Sequence, residues 1–341
     1  MKIAVDAMGG DFGLENPIAG VKLALEEMPD MTIVLTGRED EIKAELVKLH
    51  IADDKRIEIV HASQVVDMCE PATVALRQKK DSSITIASKL LKNKEVDAIV
   101  SAGHTGACVA STVVQNRTLE GIDRPAIATV FPSNKGKFVI LDVGATMDCK
   151  PINLAQFAIL GEIYSKLILK VENPRVGILS VGAESGKGNE LSKKAFDIIQ
   201  KMPVNFVGNI EGSDMFNGNV DVVICDGFVG NVVLKSCESI AKTITSLLKE
   251  GLTKNPMRMT GALLSRKAFE ELKVVTDKDQ YGGAPLLGVN GTCIIGHGSS
   301  SPIAIKNAIR IAYQLVDNNV NGLISQKISE VNWDEIIHFE E

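Results

Sequence analysis

The sequence predicts an α/β protein with three layers, in which a large, mostly parallel sheet lies between two layers of helices. Short apolar runs rich in β-branched residues alternate with segments whose apolar residues recur at helical spacing. Glycine-rich polar loops follow many of these runs, where open α/β sheets bind ligands. The chain has 341 residues, of which 45% are apolar and 23% charged, so it is long enough to bury a large core.

The predicted strands are nearly unbroken apolar runs, as expected where both faces of a sheet are covered. In chain order they are Ile3–Ala7, Thr32–Thr36, Ile57–His61, Ala98–Ser101, Ala126–Phe131, Phe138–Asp142, Val176–Val181, Asn205–Val207, Val222–Cys225 and Thr292–Ile295. Pro17 falls in the first turn of a helix predicted over Pro17–Met28, and Ser301 and Pro302 suit an N-cap and a first helical position. The helix after Ser301 is predicted to bury Ile305, Ile309, Ala312, Tyr313 and Val316. We find no linker and no internal repeat, so we predict one domain over residues 1–341, which could be bilobed.

The stretch from Val222 to Glu238 carries the clearest unit of this kind. A β-branched run leads into a polar loop and then into an amphipathic helix, whose predicted buried residues are Val233, Ile240, Ile244, Leu247 and Leu248. The loop contains Asp226, Gly227, Gly230 and Asn231. Glycines let a ligand approach the backbone, and free N–H groups at a helix start attract anions.

Five more loops of this type follow predicted strands. Their polar and glycine residues are Asp6, Gly9, Gly10 and Asp11; Gly103, His104, Thr105 and Gly106; Asp142 and Gly144; Gly182, Glu184, Lys187, Gly188 and Asn189; and His297, Gly298 and Ser299. One such loop is a weak signal, but six on separate strands predict one cleft with convergent polar groups.

The segment from about residue 244 to 274 is predicted to be a protruding helical hairpin of two pieces around Asn255-Pro256. Apolar residues alternate in it with basic ones: Leu252, Met257, Met259, Leu263 and Leu264 stand beside Lys249, Lys254, Arg258, Arg266 and Lys267. The hairpin suits a subunit interface, and it also suits contact with an anionic membrane surface. We favour the interface, and the two roles are compatible.

Other classes of function find little support. A net charge of −6 argues against a general nucleic-acid binder. The five histidines form no H-E-x-x-H motif, so we expect no metal site. GAESGKG resembles a P-loop but is one residue short and lacks the final Ser or Thr. The six cysteines are scattered, as reduced core thiols of a cytosolic protein would be, and we expect neither a signal peptide nor a membrane-spanning helix.

The strings DAMGGD, SAGHTGA, LDVGAT, KGNE, CDGFVGNVVLK, YGGAPLLGVNG and HGSS occur in this order from end to end. Over nearly all its length the chain resembles the bacterial fatty acyl–acyl carrier protein: phosphate acyltransferases of phospholipid synthesis. It departs from that family at Thr146, where Asn is usual, and at Ser185-Gly186, where an acidic and a hydrophobic residue are usual.

The resemblance implies a fold similar to phosphotransacetylases and to the isocitrate and isopropylmalate dehydrogenase group, a homodimer, and no organic cofactor. It implies transfer of a long acyl group from acyl carrier protein to inorganic phosphate. The acyl phosphate formed would serve a membrane acyltransferase that acts on glycerol 3-phosphate. The protein would then be cytoplasmic and peripherally attached to the inner face of the cell membrane, through Leu252, Met257, Met259, Leu263 and Leu264.

This chemistry suits the loops, because phosphate is already nucleophilic near pH 7 and a thioester has a good leaving group. The enzyme must hold an anion against a carbonyl and stabilise the oxyanion. Lys187 is the predicted cation. Asn231 could donate to the oxyanion or cap its helix. His104 could bind phosphate, protonate the departing sulfur or make a structural hydrogen bond, and His297 has the same options.

The remaining predicted contacts to substrate or phosphate are Gly9, Gly10, Gly103, Thr105, Gly106, Gly144, Asn189, Asp226, Gly227, Gly230, His297, Gly298 and Ser299. The carboxylates of Asp6, Asp11, Asp142 and Asp226 are expected to orient loops, because negative charge would repel phosphate. Two other functions stay open on the residues. A decarboxylating dehydrogenase would need a metal-binding carboxylate cluster and arginines, which the six loops lack, and a non-catalytic membrane scaffold would not need such polar loops.

Overall fold

The computed structural model describes residues 1–67, 70–276, 278–280 and 282–337, and these form twelve strands, thirteen α-helices and one short 3-10 helix, Lys278–Gln280. The strands are β1 (Lys2–Asp6), β2 (Thr32–Gly37), β3 (Ile57–His61), β4 (Ala98–Ser101), β5 (Ala126–Ile127), β6 (Thr129–Ser133), β7 (Gly136–Leu141), β8 (Val176–Leu179), β9 (Phe206–Ile210), β10 (Val222–Ile224), β11 (Ala284–Leu287) and β12 (Thr292–Ile295). The helices are α1 (Glu15–Glu27), α2 (Glu39–Lys48), α3 (Ala72–Gln78), α4 (Ser83–Lys92), α5 (Thr105–Asn116), α6 (Pro151–Ile168), α7 (Glu190–Ile199), α8 (Gly227–Thr253), α9 (Pro256–Leu264), α10 (Arg266–Thr276), α11 (Pro302–Asp317), α12 (Val320–Glu330) and α13 (Trp333–Ile337).

The strands form two sheets. The first has seven strands in the order β3-β2-β1-β4-β12-β11-β5, and the second has five in the order β6-β7-β10-β8-β9. Neighbouring strands pair in parallel, except that β11 pairs antiparallel with β5 and β12, and β6 pairs antiparallel with β7. The predicted α/β class with mostly parallel strands is confirmed, although the sequence predicts one large sheet where the structure has two.

The division into two sheets occurs within a single predicted strand. The run Ala126–Phe131 is two strands, because Ile127 pairs with β11 in the first sheet whereas Val130 pairs with β7 in the second. The chain therefore crosses from one sheet to the other at Ala128. Strand β11 is not among the predicted strands, and it contains Pro285, a residue type that is disfavoured inside strands. The other strands lie where predicted, with ends that differ by a few residues.

Both faces of each sheet are covered, which gives the three layers. Ile3 belongs to one buried apolar cluster and its neighbour Ala4 to a second, as expected when successive side chains point to opposite faces. In the second sheet, Val222 and Val223 divide between the same two clusters. The apolar layers therefore continue from one sheet to the other.

Two predicted helix starts agree with the structure. Pro17 lies in the first turn of α1, and Ser301 caps α11, where its Oγ accepts the N–H of Ala304 at 3.2 Å. Ile305, Ile309 and Ala312 are buried as predicted, while Tyr313 and Val316 pack against the core from partly exposed positions.

Helix α8 departs from its predicted burial. Val233 packs against the core, but Ile240, Ile244 and Leu247 are 58–63% exposed, and Leu248 is 39% exposed. The prediction that these four residues are buried is wrong in a single copy of the chain. Spacing establishes which side of a helix is apolar, but α8 is 27 residues long and its second half extends past the sheet that would cover it.

The predicted helical hairpin is present. Asn255 separates α8 from α9 and caps α9, because its Oδ1 accepts the N–H of Arg258 at 2.9 Å, and Pro256 follows at the first helical position. Met257, Met259, Leu263 and Leu264 are all more than half exposed, and Leu252 is half-buried. No helix in the described ranges is both long enough and apolar enough to cross a membrane.

Five of the six cysteines are described, and all five are free thiols. Cys108, Cys225 and Cys293 are buried, and burial raises the pKa of Cys225 well above its usual value, so this thiol stays protonated. Cys69 lies outside the described residues.

Candidate active site between the two sheets

Three of the predicted loops converge at the carboxyl edge of the first sheet. There β1 and β4 lie side by side while their connections run in opposite directions, which is where ligands bind in open α/β sheets. A Cβ atom on Gly9 would lie 2.6 Å from the backbone N of Gly103, and one on Gly10 would lie 3.1 Å from the carbonyl oxygen of Gly298. The N–H of Asp11 donates to that carbonyl at 2.8 Å. These glycines are therefore required by close approach of the three loops.

The Asp6 carboxylate connects two of these loops by hydrogen bonds. Its Oδ2 accepts the hydroxyl of Ser101 at 2.7 Å and its Oδ1 accepts the N–H of Met8 at 3.2 Å. Burial raises the pKa of this carboxyl, and the hydrogen bonds from Ser83 and Ser101 oppose the rise. Asp6 is an orienting group, as the sequence predicts.

A second pair of loops converges at the carboxyl edge of the second sheet. Asp142, at the end of β7, accepts N–H groups from Ile127, Gly144, Ala145 and Thr146 at 2.6–3.0 Å. A Cβ atom on Gly230 would lie 1.9 Å from the carbonyl oxygen of Asp142, so only glycine lets α8 pack against this loop. Burial raises the pKa of Asp142, while the four N–H bonds lower it.

The side chain of Thr146 makes an internal contact of this loop. It is buried, and its hydroxyl donates to the carbonyl of Pro125 at 2.9 Å. The departure from the family at this position therefore changes an internal contact.

Asp226 caps helix α8. Its Oδ1 accepts the N–H groups of Phe228 and Val229 at 3.0 and 2.9 Å. The capping role considered for Asn231 is therefore wrong: Asn231 lies in the second turn of α8. It is half-buried, and its side chain makes no hydrogen bond within the described part of the chain. Its amide atoms lie about 4 Å from the position of a Cβ atom on Gly144.

The start of α8 does not offer the open N–H groups that the sequence predicts. Gly227 donates to the carbonyl of Thr146 at 2.9 Å, and Gly230 donates to the carbonyl of Asp226 at 3.0 Å. With Phe228 and Val229 bound by the Asp226 carboxylate, the first turn is satisfied by protein groups. An anion would have to bind elsewhere.

The start of α5 is open instead. His104 caps this helix, because its Nδ1 accepts the N–H of Ala107 at 3.1 Å. Among the described residues, no group accepts from the N–H of Thr105 or of Gly106. Unsatisfied N–H groups at the positive end of a helix dipole are a suitable site for an anion.

The two loop groups meet in a cleft of about 770 Å³ whose walls come from both sheets. This volume lies within the range of small-molecule sites, about 300–1,000 Å³. The predicted residues that line it are Asp11, Thr105, Asn231, His297 and Gly298. Edge strand β6 runs through the cleft, with α8 on one face of that strand and α6 and α11 on the other.

His297 and His104 lie in different cavities. His297 lines the cleft, and its Nδ1 accepts the N–H of Ser299 at 3.1 Å. His104 lies in a small adjoining recess with Gly9, Gly103 and Asp6. In each neutral ring, an Nδ1 acceptor assigns the proton to Nε2.

Lys187 and Asn189 belong to the loop after β8 and do not line the cleft. Asn189 caps α7 through a 2.8 Å bond from the N–H of Ser192, and the Lys187 side chain is exposed. The loop is attached to β9 by Asn209, whose amide donates to the carbonyl of Glu184 at 2.7 Å. Asn209 is buried and was not predicted; an isolated amide within an apolar strand was its only signal in the sequence.

Most of the apolar walls of the cleft are not among the predicted site residues. On α8, Asn231, Leu234, Glu238 and Ala241 all line the cleft. Their spacing of three and four residues places them on one face of the helix, so periodicity could have identified this wall. Nothing in the sequence indicates that Arg310 and Gln314 of α11 line the same cleft. In the described ranges, no three His, Cys, Asp or Glu side chains are grouped as metal ligands would be.

Comparison with known proteins adds a family and a fold. A family model described as "Fatty acid synthesis protein" matches residues 1–323. The chain is 48% identical over 332 residues to a protein named phosphate acyltransferase from Halothermothrix orenii, covering 97% of this chain and 99% of that one. It is 46% identical over 330 residues to another of that name from Geobacter sp. (strain M21), covering 97% and 93%. The crystal structure of a phosphotransacetylase from Streptococcus pyogenes superposes with a TM-score of 0.59 at 16% identity, covering 97% and 94%, which shows a shared fold.

Proposed function

The chain belongs to the fatty acid synthesis protein family, whose members include the phosphate acyltransferases that it resembles, and on this premise we propose that it transfers a long-chain acyl group from acyl carrier protein to inorganic phosphate. A phosphate oxygen attacks the thioester carbonyl, the C–S bond breaks, and a C–O bond to phosphate forms. The products are acyl phosphate and the carrier thiol. The membrane acyltransferase that uses glycerol 3-phosphate would consume the acyl phosphate.

One observation carries this proposal: Thr105, whose N–H group no described residue accepts, lines a cleft with apolar walls. Phosphate bound at the start of α5 would meet a thioester whose acyl chain occupies those walls. Phosphate needs no base to become a nucleophile near neutral pH, so positioning supplies most of what the reaction requires.

Asn231 is the proposed donor to the oxyanion. Its amide is not used by the fold, because Asp226 caps the helix, and it lines the same cleft as Thr105. A fixed donor at the developing negative charge typically contributes a hundredfold or more to turnover.

His297 is the proposed proton donor to the departing sulfur. It lines the cleft, whereas His104 is engaged as the cap of α5 and supports the phosphate site from behind. Lys187 is proposed to supply positive charge from the loop after β8. That strand lies next to β10, so its loop is at the same edge of the sheet as the loop leading to Asn231.

The exposed apolar side of α8 supports a homodimer. Val233 lies on a helical side that packs against the core, and the same side continues through Ile240, Ile244 and Leu247 without cover. A second copy of the chain would supply that cover. We further propose that the tip of the hairpin touches the inner face of the cell membrane, where acyl phosphate would be handed on.

The test of the reaction is release of carrier thiol from acyl–acyl carrier protein by the purified protein. Release should require phosphate, should not be supported by sulfate, and should persist in EDTA without added nicotinamide. A requirement for a nicotinamide cofactor or a divalent metal would contradict the proposal and restore the dehydrogenase alternative.

A further inference from the structure

One arm of the cleft runs along helix α8, and we propose that this arm binds the acyl chain and sets its preferred length. We define the α8 groove by Thr129, Phe131, Phe216, Leu234, Cys237 and Ala241, all of which line the cleft. The inference rests on the proposed function, since it assigns part of that substrate to part of that site.

The groove begins at the proposed reaction centre. Asn231 is one helical turn before Leu234 and three turns before Ala241 on the same face of α8. At 1.5 Å per residue, the ten residues from Asn231 to Ala241 span about 15 Å. The hydrocarbon core of a bilayer is about 30 Å thick, so one acyl chain of a membrane lipid also spans roughly 15 Å.

Strand β6, which forms the opposite wall of the groove, runs between the same two edges of the sheet as α8. Thr129 pairs with Ile140 near the carboxyl end of β7, and Ser133 pairs with Gly136 at its start. The wall formed by β6 therefore extends from the reaction edge of the sheet to its opposite edge, as α8 does. A chain attached to a thioester at Asn231 would lie between these two elements.

The middle of the groove is apolar and well supported. Phe131 stacks on Phe138 with ring centroids 5.6 Å apart, and Phe216 meets both rings edge-on, at 6.3 and 5.5 Å. The charged residues of α8 that line the groove are Lys235 and Glu238, which pair with each other at 3.1 Å, and Lys235 is exposed. Glu238 is half-buried between Leu234 and Ala241 on this face, and its ion pair with Lys235 neutralises its charge, while the aromatic and aliphatic side chains supply the contacts for methylene groups.

The other arm of the cleft is a weaker candidate for the chain. It lies on the opposite face of β6, against α6 and α11, and Arg310 and Gln314 line it. A guanidinium and an amide lose hydration when hydrocarbon covers them, which costs binding free energy.

Length preference follows from burial of methylene groups. Each buried methylene is worth roughly fourfold in kcat/KM at full burial. For the natural protein, kcat/KM should rise with acyl length until the chain reaches Ala241 and then level off. Ala241 is exposed and lies on a helix, so a larger residue there shortens the groove without disturbing the core.

The experiment compares octanoyl and hexadecanoyl groups on acyl carrier protein, with thiol release as the readout. Ala241→Trp should lower kcat/KM for hexadecanoyl at least tenfold and leave the octanoyl value within twofold, which also shows that the variant is folded. Gln314→Trp is the matched control, because Gln314 is an exposed helical residue at the end of the other arm. It should leave both values unchanged.

The outcomes separate the two proposals. If the natural protein releases no thiol from either substrate, the proposed function fails. If it does, and Ala241→Trp affects both chain lengths equally or neither, the groove assignment is wrong. If Gln314→Trp instead lowers only the hexadecanoyl value, the chain lies in the other arm and our assignment is overturned.

Discussion

The carboxylate of Asp142 accepts the backbone N–H of Ile127 at 2.8 Å, and this bond joins the end of a strand in one sheet to the edge strand of the other. The cleft lies at this junction, since Ile127 itself lines it. The same carboxylate holds the loop that approaches Asn231. One buried side chain therefore sets the spacing between the two halves of the candidate site.

Lys187→Ala should lower turnover about a hundredfold, because it removes one positive charge from the developing transition state. The melting temperature should change little, since Lys187 is exposed and, within the described residues, makes no ion pair. Thiol release and thermal unfolding measure the two effects. Lys193→Ala on neighbouring α7 is the control and should keep full activity. Full activity of Lys187→Ala would move the cationic role to a cleft residue such as Lys235.

Asn231→Ala should lower turnover, whereas Asp226→Ala should lower stability. Asn231→Ala should reduce kcat by tenfold or more at an unchanged melting temperature, because the Asn231 side chain makes no bond that holds the described fold. Asp226→Ala should cost about 1 kcal/mol of stability through loss of the helix cap. Measuring kcat beside the unfolding free energy separates these effects. A loss of stability alone in Asn231→Ala would remove Asn231 from the reaction.

His297→Asn should reduce turnover and alter its dependence on pH, because the proposed proton donor is lost. His104→Asn should keep most activity, since asparagine caps a helix well and the ring is used only as a cap. The pH–rate profiles of the two variants, beside that of the natural protein, decide between the histidines. If His104→Asn shows the altered profile and His297→Asn does not, the roles are exchanged.

The ion pair of Arg175 and Asp221 should make stability depend on pH. Burial alone would raise the pKa of Asp221, but the hydrogen bonds and charge of Arg175 outweigh it, so the pKa is lowered below 3.8. The stabilisation is therefore present above pH 3.8 and is lost as pH falls through the lower, folded-state pKa. At pH 7, Asp221→Asn should cost about 1.5–3 kcal/mol, as for hydrogen bonds to charged groups. Urea unfolding across pH tests this, and a difference that persists at the lowest pH would contradict it.

Replacing Leu263 and Leu264 by Glu should abolish co-sedimentation with anionic liposomes, since both side chains are exposed apolar surface at the hairpin tip. Turnover in solution should be retained. Replacing Thr260 and Ser265 by Glu adds the same charge without removing apolar surface, and this control should keep more binding. Continued sedimentation of the leucine variant would exclude a membrane role for this segment. Its conversion to a monomer would identify the segment as a subunit interface.

The α/β class, most strands and the loops that bear polar groups could be predicted from the sequence. These features depend on local patterns: β-branched runs, helical spacing, and glycines where backbones approach closely, as at Gly9 and Gly230. The sequence also indicated that Asp6, Asp142 and Asp226 orient loops, since a carboxylate beside a predicted anion site has few other uses.

Which loops share the cleft, and which helix start has free N–H groups in the described chain, could be read only from the three-dimensional arrangement. Whether an N–H group at a helix start is free depends on neighbours distant in sequence. The carbonyl of Thr146 accepts the N–H of Gly227, whereas no described group accepts the N–H of Thr105. The exposure of Ile240 and Ile244 likewise depends on where the sheet ends. The spacing of apolar residues along a helix does not indicate where the neighbouring sheet ends. The pairing of β5 and β6 with different sheets rests on hydrogen bonds to β11 and β7, which a single apolar run cannot specify.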